Sequence, residues 1–245
     1  MKLHVQFVPL ALLSLLAFSA AFPTKSSAAL LGPSEYLCFD DSAIAGCGGK
    51  ESPFAHSTYS YFHLENFEDH LFNSPGVSAS GGIVTSTAFS SIHDSVDADD
   101  GTIDGSGLLG DSFFWDGATG IKFTFDSLVL GGLPTDAGIV WTDGAGVTSF
   151  EAFDENGISL GINGPVAIAD GSVNGETAED RFFGARNPGG ISAIYINNSA
   201  GGIEVDHLQY GLLSTSTAAV PEPTTLSLLG LGLAGLKFRR KNNKV

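Results

Sequence analysis

Five aspartates, Asp94, Asp97, Asp99, Asp100 and Asp104, stand within eleven residues of the stretch DSVDADDGTID, and Asp111 and Asp116 follow. Carboxylates gathered in one loop are the donors a calcium ion takes, about six to eight oxygens at roughly 2.3–2.6 Å. Gly101 and Gly105 permit the sharp turns that would aim several of them inward. The spacing is not that of an EF-hand, because the glycine is misplaced and no glutamate closes the loop. The stretch reads as a calcium site or as a solvated acidic loop. His56, His63 and His70 are seven apart, but the residues between them alternate as a strand. An odd offset puts strand neighbours on opposite faces, so zinc is not expected there, and His207 reads as an edge or core residue. The chain has no G-x-S-x-G elbow and no Cys-His set, and no acid stands in a recognisable catalytic motif; no catalytic residue is assigned. Aromatic faces could stack on sugar rings, and Tyr59, Tyr61, Trp115, Trp141 and Tyr195 are available for that or for core packing. Trp115, beside the acidic loop, is the ligand candidate.

These groups sit on a chain whose charge is segregated. The net charge is −16, yet between Leu30 and Ala219 only Lys50, Lys122, Arg181 and Arg186 oppose 26 acids, a formal −22. A field of that sign repels nucleic acid and favours cations. The N-terminus carries Lys2, an apolar stretch from Val8 to Ala21 and then small residues, the plan of a secretory leader over 1–29. Cleavage is expected between about residues 21 and 29, before Phe22 or after Ala28 or Ala29. In an oxidising compartment Cys38 and Cys47 form one disulfide, closing a loop of about ten residues for roughly 2–3 kcal/mol.

The other end reads VPEPTTLSLLGLGLAGLKFRRKNNKV from Val220 to Val245. Pro221 and Pro223 end any preceding strand, an apolar run follows, and Lys237, Arg239, Arg240 and Lys241 favour the cytoplasmic side. At about 1.5 Å per residue a helix over 224–238 covers roughly 22 Å, less than the ~30 Å of a bilayer core, so it is a short anchor. The order of Val220-Pro221-Glu222-Pro223, short apolar helix and basic end resembles the PEP-CTERM sorting signal of Gram-negative bacteria. The resemblance implies export, retention in the membrane by the tail, and processing near the motif by an exosortase-type enzyme. It further implies a final place at the cell surface or in an exopolysaccharide matrix.

Between the ends, short apolar runs bounded by Gly, Asp, Asn and Pro predict an all-β body of about nine or ten strands. Residues 30–57 show little strand signal and read as an N-terminal extension with the disulfide loop. The body spans 58–213, with 214–219 as linker. Residues 58–67 and 82–89 read as strands. Residues 120–126 alternate Ile121, Phe123 and Phe125 against Lys122, Thr124 and Asp126, the mark of a half-buried strand. Residues 137–142 and 147–153 read as a pair across the turn DGAG, and 158–162, 165–169, 180–184, 191–197 and 203–210 as further strands. Turn signals every eight to twelve residues suggest a single β-sandwich. FHLENFED near its start and GGIEVDHLQYG near its end resemble the edges of jelly-roll domains, including carbohydrate-binding modules. That resemblance implies that the first and last strands lie side by side. It also implies a structural calcium held by Glu65, Glu68, Asp69, Glu204 and Asp206. The reading is an exported, non-catalytic surface or matrix protein, with calcium and polysaccharide as candidate ligands. The alternative is a secreted glycan-active enzyme on the same scaffold.

Overall fold

The computed structural model describes residues 27–86, 93–116 and 120–214. The leader up to residue 26 and everything after 214, including the sorting signal and the 224–238 helix, lie outside the described residues. Within them no helix is long and apolar enough to cross a membrane. The architecture is all-β: ten strands joined in one antiparallel sheet. They are β1 (Ala29–Glu35), β2 (Tyr59–Glu65), β3 (Val77–Ala79), β4 (Ile83–Thr85), β5 (Ser112–Trp115), β6 (Ile121–Phe125), β7 (Asp136–Asp154), β8 (Ser159–Val166), β9 (Arg181–Arg186) and β10 (Ile191–Leu213). One short helix, α1 (Ser127–Leu130), follows β6, where the Asp126 carboxylate accepts from the amides of Leu128 at 2.8 Å and Val129 at 3.4 Å. That N-cap satisfies two of the donors a helix start leaves open.

The sheet is built on β7 and β10, which pair antiparallel from Ile191↔Asp154 to Gly211↔Asp136. The hairpin expected across DGAG does not form, and the two strands expected at 191–197 and 203–210 are one. Residues 143–146 lie opposite 198–204, where the register shifts twice, and Gly146 and Gly201 hold φ of +85° and +66°. Each glycine cluster is a local reversal signal. Because the two meet across the ladder, the positive φ values make a shared bulge, and both strands bend and continue. At one end of this bent ribbon β9 and then β1 lie beside β7, while β2 and β5 pair with β10. At the other end β8 lies beside β7, and β6 then β3 beside β10.

The two ends face each other across the core. Phe150 stacks on Phe183 with ring centroids 6.0 Å apart, Phe113 meets Phe123 at 5.9 Å and Phe125 meets Tyr210 at 5.0 Å. This is a sandwich made by folding one sheet over its long strands. In β6, Ile121, Phe123 and Phe125 are buried while Lys122 and Thr124 are exposed, as the alternation predicts. The first body strand and the last do lie side by side, from Leu208↔Glu65 to Leu213↔Tyr59.

Residues 30–57 are not an extension. β1 pairs with β9 from Ala29↔Arg186 to Glu35↔Arg181, with a register shift around Gly32 and Pro33 that hides the strand pattern. Beyond it Tyr36, Cys38, Cys47 and Phe54 are buried with Val140 and Phe182 in a second apolar cluster. Cys38 and Cys47 are disulfide-bonded.

Candidate metal centre

The acidic loop is docked, not solvated. Residues 93–96 run over β10, where Val96 N donates to Asp206 Oδ2 at 2.9 Å and Ser95 N to the Gly107 carbonyl at 3.1 Å. Thr142 Oγ1 donates to the Asp94 carbonyl at 2.9 Å. A single 3-10 turn, Asp97–Asp100, follows and ends at Gly101 with φ +91°. Gly107 permits the close approach, since a Cβ there would fall 2.0 Å from the Ser95 carbonyl oxygen and 2.5 Å from Asp94 Oδ1. The loop thereby delivers Asp94 and Asp99 into the body, next to side chains of β10 and of the turn Thr177–Glu179 before β9.

Two groups of acids result. In the first, one ligand atom each from Asp99, Asp206 and His207 lie within 4.8 Å of one another. His207 Nε2 is 2.8 Å from Asp99 Oδ1 and Nδ1 is 2.7 Å from the Tyr36 hydroxyl. Gln209 Nε2 donates to Tyr36 Oη at 3.0 Å, and Ser52 Oγ donates to Gln209 Oε1. A network that spends each hydrogen has Tyr36 donating to Nδ1 and a neutral imidazole donating from Nε2 to Asp99. Asp206 accepts from the amides of Val96 and His207, and its carboxylate lies beside that of Asp99. Burial, reinforced by neighbouring acids, pushes Asp99 up to about 8 and Asp206 well above the carboxylate range. Burial holds the His207 imidazole below its ordinary value. His207 has φ +44°, unusual for a side chain larger than glycine.

The second group is Asp94, Glu179 and Asp180, at 2%, 5% and 0% exposure. Asp94 Oδ1, Glu179 Oε2 and both Asp180 carboxylate oxygens have no hydrogen-bond partner among the described residues. Burial first, then repulsion from Glu179 on Asp94 and from Asp94 and Glu179 on Asp180, pushes both aspartates well above their ordinary value; burial, with repulsion from Asp170, Glu176 and Asp143, pushes Glu179 to about 7. Thr177 Oγ1 donates to Asp97 Oδ2 at 2.8 Å and ties the acidic loop to this turn. Orphaned carboxylate oxygens inside a protein cost free energy unless a proton or a cation meets them.

The ten acids expected at calcium sites divide differently from either expected set. Of the loop acids, Asp94 and Asp99 enter the two groups above. Asp97 is buried but satisfied, accepting from the amides of Asp104 at 2.9 Å and Gly105 at 3.0 Å. Asp100 caps Thr102, and Asp104 is exposed. Of the second set, Glu65 holds its own loop through the amides of Phe67, Asn73 and Ser74, and Asp69 through Leu71 and Asn73. Glu68 accepts from the Asp111 amide, Asp206 joins Asp99, and Glu204 accepts from Ser112 and Thr85. Trp115, the ligand candidate, is half-buried against the core, and its ring lies 2.8 Å from where a Cβ on Gly81 would be.

Asp180 and Glu179 are the acids the sequence reading missed as site residues. Both precede β9 in the run AEDRFFGAR, where Arg181 is the natural partner to expect. Arg181 instead donates to the carbonyls of Ala178 and Asp180, at 2.9 and 2.8 Å, leaving the Asp180 carboxylate alone. An acid next to an arginine carries no signal of that kind.

Among solved structures the chain is similar to the enzymatically active domain of tailspike protein 4 from bacteriophage CBA120, at 19% identity and a TM-score of 0.33. That likeness covers 66% of this chain but only 22% of the tailspike chain, and it carries no weight for fold or activity. No curated protein matches the sequence. The family model of the PEP-CTERM protein-sorting motif matches residues 219–241, so the chain carries that sorting motif, from Val220-Pro221-Glu222-Pro223 through the basic residues to Lys241.

Proposed function

We propose that this is a non-catalytic protein of the cell surface or extracellular matrix, locked by calcium and engaging extracellular polysaccharide. The sorting motif implies export, a membrane-anchored sorting signal and recognition by an exosortase. The calcium reading rests on the orphaned oxygens of Asp94, Glu179 and Asp180 and on the repulsion that Asp94 and Glu179 exert on Asp180; among the described residues, the triad with ligand atoms within 4.8 Å of one another is Asp99, Asp206 and His207. Asp94, Glu179 and Asp180 are all-oxygen donors, the kind Ca²⁺ prefers, and the ion would neutralise acids that otherwise repel inside the fold. The millimolar calcium outside cells suits a site of that type. Fractionation with intact-mass measurement of the full chain tests the sorting: the expected product lies in the envelope or medium and lacks both leader and tail. A full-length cytoplasmic species refutes it. A melting temperature unchanged by calcium or chelator removes the ion from the account.

One observation favours a second reading as a glycan-active enzyme. Asp143 and Glu204 are cross-strand partners that, with Phe114, line a cavity of about 260 Å³. Burial raises both carboxyls, Asp143 to about 6. Glycoside hydrolysis needs two carboxyls astride the bond, one of them protonated. A glycan-binding screen followed by product analysis separates the readings, since release of shorter sugars would defeat the non-catalytic one.

A further inference from the structure

Asp99, Asp206 and His207 meet where the acidic loop crosses β10, and they differ from the calcium group in one respect: an imidazole nitrogen is among the donors. We infer that these three residues form a separate metal site, selective for a borderline divalent ion of the Zn²⁺ or Mn²⁺ class over Ca²⁺. Their ligand atoms lie within 4.8 Å of one another, the spread a single first-row ion bridges. Asp99 Oδ2 has no partner among the described residues, although its side chain is only 6% exposed. It is the kind of unspent lone pair that a native fold rarely leaves inside.

The surroundings supply what a metal-binding histidine needs. The other ring nitrogen, Nδ1, lies 2.7 Å from Tyr36 Oη, which is itself held by Gln209. Such an outer partner fixes the orientation of a ligating imidazole. On binding, Nε2 carries no hydrogen and faces the ion, the neutral imidazole carries its hydrogen on Nδ1 and donates to Tyr36 Oη, and the Tyr36 hydroxyl in turn donates to Gln209 Oε1 once that amide turns over. The imidazole stays neutral throughout. An entry path exists: a cavity of about 300 Å³, lined by Phe39, Asp40, Leu64 and Asn66 among others, reaches Asp99 and His207. It leaves room for water to complete the coordination. Calcium takes oxygen donors almost exclusively, whereas imidazole suits Zn²⁺ and its neighbours, so the nitrogen sets the preference. This inference does not depend on the calcium reading, which concerns Asp94, Glu179 and Asp180.

The test uses the full chain in detergent, stripped with chelator, then equilibrated with Zn²⁺ in excess calcium. The expected result is one zinc per chain by elemental analysis, not displaced by calcium. Histidine ring ¹⁵N spectra with and without zinc should move His207 alone among the six histidines of the chain. His207→Gln should weaken zinc binding at least about tenfold, the loss typical of removing a ligand or its support. If that variant does not fold, the ring ¹⁵N shift in the unaltered protein decides by itself. Absence of bound zinc, a shift at exposed His70 in place of His207, or full competition by calcium would each overturn the proposal.

Discussion

Replacing Asp180 by asparagine tests the calcium reading at its centre. Asp180 is fully buried and both of its carboxylate oxygens lack partners among the described residues, with Asp94 and Glu179 adding repulsion. An unsatisfied buried polar group costs about 1–3 kcal/mol, more for a charge, and asparagine keeps the shape without the charge. In chelator at mildly alkaline pH, Asp180→Asn should therefore stabilise the body by about 1–3 kcal/mol. For a body of this size each kcal/mol moves Tm by about 2–4 °C. Calcium reverses the ranking of effects. At about 100 times its Kd, an ion that binds only the folded chain adds about 2.7 kcal/mol, or roughly 5–11 °C. The variant, having lost a ligand with two free oxygens, should keep only about 1–2 °C of that shift. Differential scanning calorimetry of both proteins, each in chelator and in calcium, gives four midpoints. A variant that melts below the parent in chelator and retains the whole calcium shift would refute the reasoning.

Further expectations follow from other parts of the fold. Phe150 is fully buried and stacks on Phe183 between the two halves of the sandwich, so Phe150→Ala should cost about 3–5 kcal/mol in denaturant unfolding. Replacing Cys38 and Cys47 together by serine should cost about 2–3 kcal/mol by loop entropy, read as a lower unfolding midpoint without loss of β signal by circular dichroism. Because β1 begins at Ala29, paired with Arg186, N-terminal sequencing of the mature protein should find the leader cut at or before Ala29; a start at Leu31 or later would remove part of a strand and contradict this. Asp143 has its carboxyl raised from 3.8 to about 6 by burial, so the folded state binds its proton more tightly than the unfolded chain does. Stability from this group is present below about pH 4 and lost as pH rises toward 6, and Asp143→Asn should flatten that part of a stability profile.

What could be read from the sequence, and what could not, divides along the range of the interactions. β6 is legible because its alternation is a local consequence of one face meeting the core. The pairing of β2 with the end of β10 is also anticipated, since both strands carry recognisable edges. β7 and β10 are misread because DGAG and NNSAGG are equally good signals for a reversal and for a bulge. Which one forms depends on whether a second glycine cluster lies across the ladder, and only the register decides that. β1 is lost for a related reason: Gly32 and Pro33 interrupt its pattern, and its pairing with β9 is set by a partner about 150 residues away.

The acids illustrate the same limit for chemistry. Composition marks the loop 94–104 as a place where carboxylates crowd, and two of its five aspartates do face inward against other acids. Sequence spacing cannot say which two, because within one turn Asp97 spends both oxygens on the chain's own amides while Asp99, two residues on, keeps one free. The partners that turn a crowded loop into candidate sites come from elsewhere: Asp206 and His207 from β10, Glu179 and Asp180 from the approach to β9. The separation into an all-oxygen group and one containing an imidazole arises from this long-range assembly. A cation preference can therefore be argued only once the sandwich has closed, since the donor set that distinguishes Ca²⁺ from Zn²⁺ exists nowhere along the linear chain.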